Sequence, residues 1–380
     1  MSTDLIPYDF GTGNTNPEGF PAAELVAAAA RAIPAIATDL NIYPGKLGHA
    51  GLRSLLAQRE SEREGVAVDP EHIVLTNGSM QAVTLAAEAL CTGPRPAVIM
   101  EEQCYVGTVN AYKSLGIEML GVPLDGHGMR IDALEDTLKR CADEGRKPSF
   151  IYALTTYQNP TGSMMPTTRR MQLLEVARRY DCIIVEDNCY GDVHFEGDKQ
   201  PSLFALDDGP NHIYLGSLSK IFAPGVRLGF FYAKPPLLDT LLARRHDAGP
   251  NTLAAAIVYE YLKDNLWSHI ERANLALKRK RDAMLEGLSS SLGNACSWSH
   301  PVGGLFIWVR IPDDIDMDSL EREANARGVA FARGSSFYIH DAEIPYIRLA
   351  FGFPSEADIR AGMPQLGEAI AAARNSKATS

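Results

Sequence analysis

Gly216-Ser217-Leu218-Ser219-Lys220-Ile221-Phe222-Ala223-Pro224-Gly225-Val226-Arg227-Leu228-Gly229 is the stretch on which the reading of this chain turns. Ile213-Tyr214-Leu215 before it and Leu228-Gly229-Phe230-Phe231-Tyr232 across its end read as short buried strands. A single lysine therefore stands at a strand end, between hydroxyls, with an arginine seven residues on. Hydroxyls donate and a guanidinium forks onto phosphate oxygens, so Ser217, Ser219 and Arg227 suit an anion. A lysine beside bound phosphate is placed to form an imine with an aldehyde on the same ligand. Pyridoxal phosphate combines those two groups. A basic loop between two strands, with serines as turn residues, accounts for the same letters, and the rest of the chain has to decide.

Upstream of this stretch the pattern alternates. It predicts strands near 73–76, 97–100, 118–122, 150–154 and 182–185, separated by helices near 81–90, 107–115, 131–140 and 167–180. Continuous apolar runs such as Cys182-Ile183-Ile184-Val185 fit a parallel sheet covered on both faces, and the alternation argues for a doubly wound α/β sheet. After about Pro235 the pattern changes to two helices, near 253–262 and 267–288. An α+β segment with strands near 304–309 and 346–350 and a last helix follows, and residues after Ala373 read as a frayed tail. The expected organisation is an N-terminal segment 1–45 joining a small domain, a large domain 46–270, and the small domain 271–380.

Composition narrows the function classes. With 380 residues, 46% hydrophobic and 22% charged, the chain is an ordinary globular one, large enough for two domains. A net charge of −11 argues against nucleic acid or an anionic membrane surface as partner. No apolar run nears the roughly 20 residues needed to span a bilayer. Met1-Ser2-Thr3-Asp4 lacks a signal-peptide pattern, and the six cysteines show no CxxC spacing. The expectation is a cytoplasmic protein without metal or disulfides.

Several polar residues stand at the ends of the predicted strands, where ligands of such sheets bind. Asp187, after the run 182–185, can set an anion beside a pyridine nitrogen, although capping a turn is the commoner role for such an Asp. Tyr190 can reach the ring's phenolic oxygen or simply pack. Asn159, in Tyr157-Gln158-Asn159-Pro160-Thr161-Gly162, can donate to the same oxygen or form a plain Asn-Pro turn. Gly78-Ser79-Met80 sits where a strand meets a helix N-terminus, a place for phosphate or for an ordinary cap. Tyr105 can stack on a ring or belong to the core. Arg348 is a charge inside the apolar run Tyr346-Ile347-Arg348-Leu349-Ala350-Phe351 and needs a carboxylate, structural or from a ligand.

Taken together, Asn159-Pro160-Thr161-Gly162, Asp187 with Tyr190, Ser217-x-Ser219-Lys220 with Arg227, and Arg348 stand in the order found in fold-type-I pyridoxal phosphate (PLP) enzymes. Across nearly its whole length the chain resembles the class I/II aminotransferases. Tyr157 to Gly162 and Phe10-Gly11-Thr12-Gly13-Asn14 resemble the branch of 2-aminoadipate and aromatic aminotransferases. The resemblance implies an aspartate-aminotransferase-like fold with a large, mostly parallel sheet domain and a smaller α+β domain. It also implies amino transfer between an α-amino acid and a 2-oxo acid through a Schiff base on Lys220.

By the same resemblance, Asp187 pairs with the pyridinium, Asn159 and Tyr190 contact the phenolic oxygen, and Tyr105 stacks on the ring. Gly78, Ser79, Met80, Ser217, Ser219 and Arg227 hold the phosphate, Arg348 binds the α-carboxylate, and Gly13 lies in the substrate loop. Tyr43 reaches the phosphate of a neighbouring subunit, which implies a homodimer with shared sites.

Met80, Cys189, Thr156 and Arg333 depart from the family pattern and are expected around the substrate space. Two other functions compete. One is a PLP-dependent lyase or synthase acting on an activated amino acid such as S-adenosylmethionine. The other is a ligand-sensing module like the aminotransferase-like halves of some transcription regulators, for whose basic winged-helix domain the chain has no room.

Overall fold

The computed structural model describes residues 6–207 and 209–377. Its centre is a seven-stranded sheet in the order Ile73–Thr76, Gly229–Ala233, His212–Ser217, Ile184–Asp187, Ile151–Ala153, Ala97–Glu101, Glu118–Val122. Gly229–Ala233 runs antiparallel to both neighbours, and every other pair is parallel. The inner strands are buried along their whole length, which is why they read as unbroken apolar runs. Six carboxyl ends therefore lie along one edge, and the seventh strand begins there, two residues after Arg227.

Some expected boundaries move. The strand expected at 182–185 is Ile184–Asp187, so Asp187 is its last residue rather than part of the following loop. The two helices expected at 253–262 and 267–288 are one helix, Thr252–Leu292, of 41 residues and about 60 Å at 1.5 Å per residue. Lys263-Asp264-Asn265-Leu266 between them contains neither Gly nor Pro, so nothing interrupts the backbone ladder, and Asn251 caps the start by accepting from the Ala254 amide at 2.9 Å. The boundary expected at 270 falls inside this helix. It packs on Ala22–Ala35 and Ala50–Glu64, and also on Glu356–Lys377. That last helix continues past Ala373, where a frayed tail was expected. Arg374 Nε lies 2.7 Å from Asp314 Oδ2.

The second sheet is antiparallel, in the order Ser297–Trp298, Phe306–Arg310, Tyr346–Ala350, Ala332–Arg333. Arg348 sits on its third strand, opposite Trp308 on one side and Ala332 on the other. Near the N-terminus, Tyr8–Asp9 pairs with Val329–Ala330, which brings Gly11 to Asn14 over this sheet and up to the strand ends of the first.

Candidate active site

A cavity of about 500 Å³ opens where the strand ends of the large sheet face Arg348 and the Gly11–Asn14 loop. Ser79, Met80, Tyr105, Asn159, Asp187 and Tyr190 line it. So do Ser217, Ser219, Lys220 and Arg227, together with Gly13 and Arg348. Residues more than 300 positions apart thus meet in one space. Of the expected site residues only Gly78 and Tyr43 do not line it. Gly78 lies directly behind the wall, and Tyr43 is 86% exposed on the outer surface.

One corner carries groups that can receive an anion. The helix Ser79–Leu90 begins there, and its N-cap Gly78 provides no side-chain cap, so its first amides are free to face a ligand. Gly78 has φ +83°, and a Cβ there would lie 2.5 Å from Arg227 Nη2, so only glycine leaves room for that guanidinium. Gly229 likewise lets its strand close against the Ser79 amide. Across the corner, the Ser219 amide donates to Ser217 Oγ at 3.1 Å, which leaves the Ser217 proton available.

Lys220 Nζ donates to Gly13 O at 3.0 Å and lies 5.8 Å from the Tyr190 ring centroid. Burial pushes its amine below the usual value; Cys189 and Asp187 oppose that shift, and Arg348 and Arg227 add to it. A larger share of free amine at neutral pH follows, as a nucleophile or base requires. Asp187 is buried, and its carboxyl is raised by burial. Tyr152 donates to Oδ2 at 2.6 Å and the Cys189 amide to Oδ1 at 3.2 Å, and both pull the carboxyl back toward ionisation.

Arg348 lies between two aromatic faces, with its guanidinium carbon 4.2 Å from the Phe306 centroid and 4.6 Å from that of Phe337. Nη1 donates to Asn159 Oδ1 at 3.0 Å and Nη2 to Gly11 O at 2.6 Å. Nε is buried without a partner. Burial pushes the guanidinium down to about 10, so it keeps its charge at neutral pH. A buried cation with no carboxylate among its hydrogen-bond partners is chemically able to take a ligand's carboxylate.

Of the four departures from the family pattern, Met80 and Cys189 line the cavity. Thr156 and Arg333 do not, contrary to expectation. Thr156 Oγ1 accepts from Arg170 Nη2 at 2.9 Å, and Arg333 Nη1 pairs with Asp318 at 2.5 Å. Thr156 is held by a buried arginine and Arg333 by acidic side chains, both outside the cavity.

Sequence reasoning did not single out Phe306 and Phe337 as walls of the Arg348 site, nor Tyr152 and Glu101 behind Asp187. Glu101 ends its strand just as Asp187 does, the one signal available for it. It is fully buried and accepts from the Leu154 amide at 3.3 Å. Burial pushes its carboxyl up to about 8; the Leu154 and Gln158 bonds oppose this, and the Asp187 charge adds to it. A carboxyl with a raised folded pKa contributes stability in full below its unfolded value, and loses it as pH rises through the folded value. Stability from this group therefore falls between about pH 4.5 and about pH 8. Glu101→Gln is expected to flatten that decline, read as melting temperature from pH 5 to 9.

Phosphate donors at a helix N-terminus, an acceptor carboxylate for a ring nitrogen and a lysine amine for an aldehyde match pyridoxal phosphate group by group. The chain matches the family model "Aminotransferase class I and II" over residues 8–362, and it belongs to that family. Aromatic-amino-acid aminotransferase 1 of Thermococcus litoralis is 34% identical, over 93% of this chain and 85% of that protein. The crystal structure of the multiple substrate aminotransferase from Thermococcus profundus superposes with a TM-score of 0.91 at 32% identity, covering 100% of this chain and 93% of that one. The α-aminoadipate aminotransferase of Thermus thermophilus, solved with N-(5'-phosphopyridoxyl)-L-leucine, gives 0.88 at 32% identity over 96% of this chain and 92% of its own. The protein is a fold-type-I, PLP-dependent aminotransferase that moves amino groups between amino acids and 2-oxo acids. None of these relatives is a lyase or synthase.

Proposed function

We propose that this aminotransferase acts on aromatic α-amino acids, with Lys220, Asp187 and Arg348 as its working groups. The observation that carries this reading is the single cavity in which Lys220 Nζ, the Asp187 carboxylate and the aromatic-clad Arg348 face one another. Bound pyridoxal phosphate supplies the electron sink that weakens the bonds at the amino acid's α-carbon. Asp187 would hold a negative charge against the ring nitrogen, and Asn159 and Tyr190 would hold the phenolic oxygen. With Oδ1 of Asn159 spent on Arg348, its amide nitrogen is the end able to donate. Arg348 forks onto the α-carboxylate, which aims the α C–H at Lys220 Nζ, and Nζ takes that proton. Phe306 and Phe337 exclude water around Arg348, which strengthens its attraction for a carboxylate.

Three cations line the cavity, and Lys220, Arg227 and Arg348 each have a duty already. Phe306, Phe337, Val106, Leu154 and Ala332 form its apolar surface. Such walls favour an aromatic side chain over one with a second carboxylate, as does the name of the Thermococcus litoralis relative. Titration with phenylalanine is expected to convert the cofactor's absorbance to that of pyridoxamine phosphate, and a 2-oxo acid to reverse it. Phenylalanine should exceed 2-aminoadipate in kcat/KM by at least ~10-fold. Equal values for the two would reject the aromatic reading.

The reading extends to a homodimer with shared sites, supported by Tyr43 and its neighbours. Ile42 is 65% exposed and Leu40 43%, an apolar surface of the kind found at interfaces. The protein is expected to sediment at twice the 41.3 kDa mass of the chain. Tyr43→Ala should weaken cofactor retention by ~10-fold, the loss of one hydrogen bond to a charged group. Among the described residues no helix is long and apolar enough to cross a membrane. The cytoplasm is the proposed compartment, supported by six cysteines that are all free thiols.

A further inference from the structure

We propose that Tyr152 is a positioning residue for amino transfer: its hydroxyl, backed by that of Thr108, fixes the Asp187 carboxylate against the cofactor's ring nitrogen. The proposal rests on the reading of Asp187 given above. Tyr152 lies on Ile151–Ala153, the strand beside Ile184–Asp187, where it pairs with Val185. From there its side chain reaches the end of the neighbouring strand, and Oη donates to Asp187 Oδ2 at 2.6 Å. The ring is fully buried and held edge-on by Tyr112, with centroids 6.1 Å apart at 86°.

The direction of every proton in this group follows from chemistry. Burial first, and the Asp187 charge second, push the phenol well above its usual value, so it stays protonated. An ionised carboxylate only accepts, so the one phenolic proton points at Oδ2. Thr108 Oγ1 lies 3.3 Å from Tyr152 Oη and must be the donor in that pair. Hydroxyl donates to hydroxyl, which donates to carboxylate, in one direction. The Cys189 amide holds the other carboxylate oxygen at 3.2 Å, so the torsion of Asp187 is set from two sides while it still lines the cavity.

This chain does more than hold a side chain still. Burial raises the Asp187 carboxyl, and the Tyr152 hydrogen bond heads the contacts that oppose it. A hydroxyl that donates to the ionised form favours that form. Without it the carboxyl accepts a proton more readily, and the ring nitrogen loses its counter-charge. The electron sink then weakens although no group in the cavity has been removed.

The test loads wild type and variants with pyridoxal phosphate carrying 15N in the ring. The nitrogen's chemical shift is followed against pH, alongside kcat and KM. In Tyr152→Phe, which keeps the ring and loses only the proton donor, the nitrogen should deprotonate about one pH unit lower. Its kcat should fall about 10-fold with KM little changed, the rate equivalent of one hydrogen bond to a charged acceptor. Thr108→Val should shift both in the same direction by less, and Thr108→Ser should behave as wild type. A Tyr152→Phe enzyme with wild-type nitrogen titration and kcat overturns the proposal, provided Asp187→Asn disturbs both. If Asp187→Asn also leaves the nitrogen unmoved, the assignment of Asp187 fails instead. Should Tyr152→Phe not fold, the contrast between Thr108→Val and Thr108→Ser decides the matter.

Discussion

Lys220→Ala is expected to lower the rate of amino transfer by at least ~10⁴-fold, the upper end of what a positioned acid–base group contributes, while the protein stays folded and retains cofactor. Retention follows from the architecture. The helix N-terminus at Ser79, the hydroxyls of Ser217 and Ser219, and Arg227 line one corner and are the groups proposed to grip the phosphate without the lysine's help. The loss is chemical, since among the described residues no other lysine lines the cavity, where Nζ lies against Gly13 O and over the Tyr190 ring. Activity with phenylalanine and a 2-oxo acid measures the loss. Borohydride reduction followed by peptide mapping should fix the cofactor at position 220 in wild type and nowhere in the variant. A variant that keeps a tenth of the activity would remove Lys220 from the mechanism.

Arg348→Ala should reduce kcat/KM for α-amino acids by ~10²- to 10⁴-fold, as removal of two charge-assisted hydrogen bonds to a carboxylate predicts. Arg348→Lys should recover little of this, because an ammonium cannot fork and the slot between Phe306 and Phe337 is cut for a planar group. The discriminating control is an amine without an α-carboxylate, on which wild type and both variants should converge. If the variants lose as much on that amine as on phenylalanine, Arg348 holds the architecture rather than the substrate. Its bonds to Asn159 and Gly11 make that alternative concrete.

The polar anchors were legible because each lies within an apolar run or in the loop that follows one. Lys220, Asp187, Asn159 and Arg348 stand out beside strands that burial on both faces keeps mostly apolar. Tyr152 did not stand out, because a tyrosine in a buried strand is an ordinary letter until its neighbour is known. Thr156 and Arg333 misled for the converse reason. They are unusual against a family pattern, yet outside the cavity a hydrogen bond from Arg170 holds Thr156 and an ion pair with Asp318 holds Arg333.

The sequence by itself determined the alternation of strands and helices, the cofactor class and most of the polar inventory, all of which rest on local pattern and side-chain chemistry. It did not determine that Gly229–Ala233 runs against its neighbours, or that Thr252–Leu292 is one helix. Nor did it show that Arg348 is clasped by Phe306, Phe337 and Asn159, or that Thr108 and Tyr152 stand behind Asp187. Those features depend on which distant segments lie side by side, and the packing of both sheets decides that rather than any window of the chain.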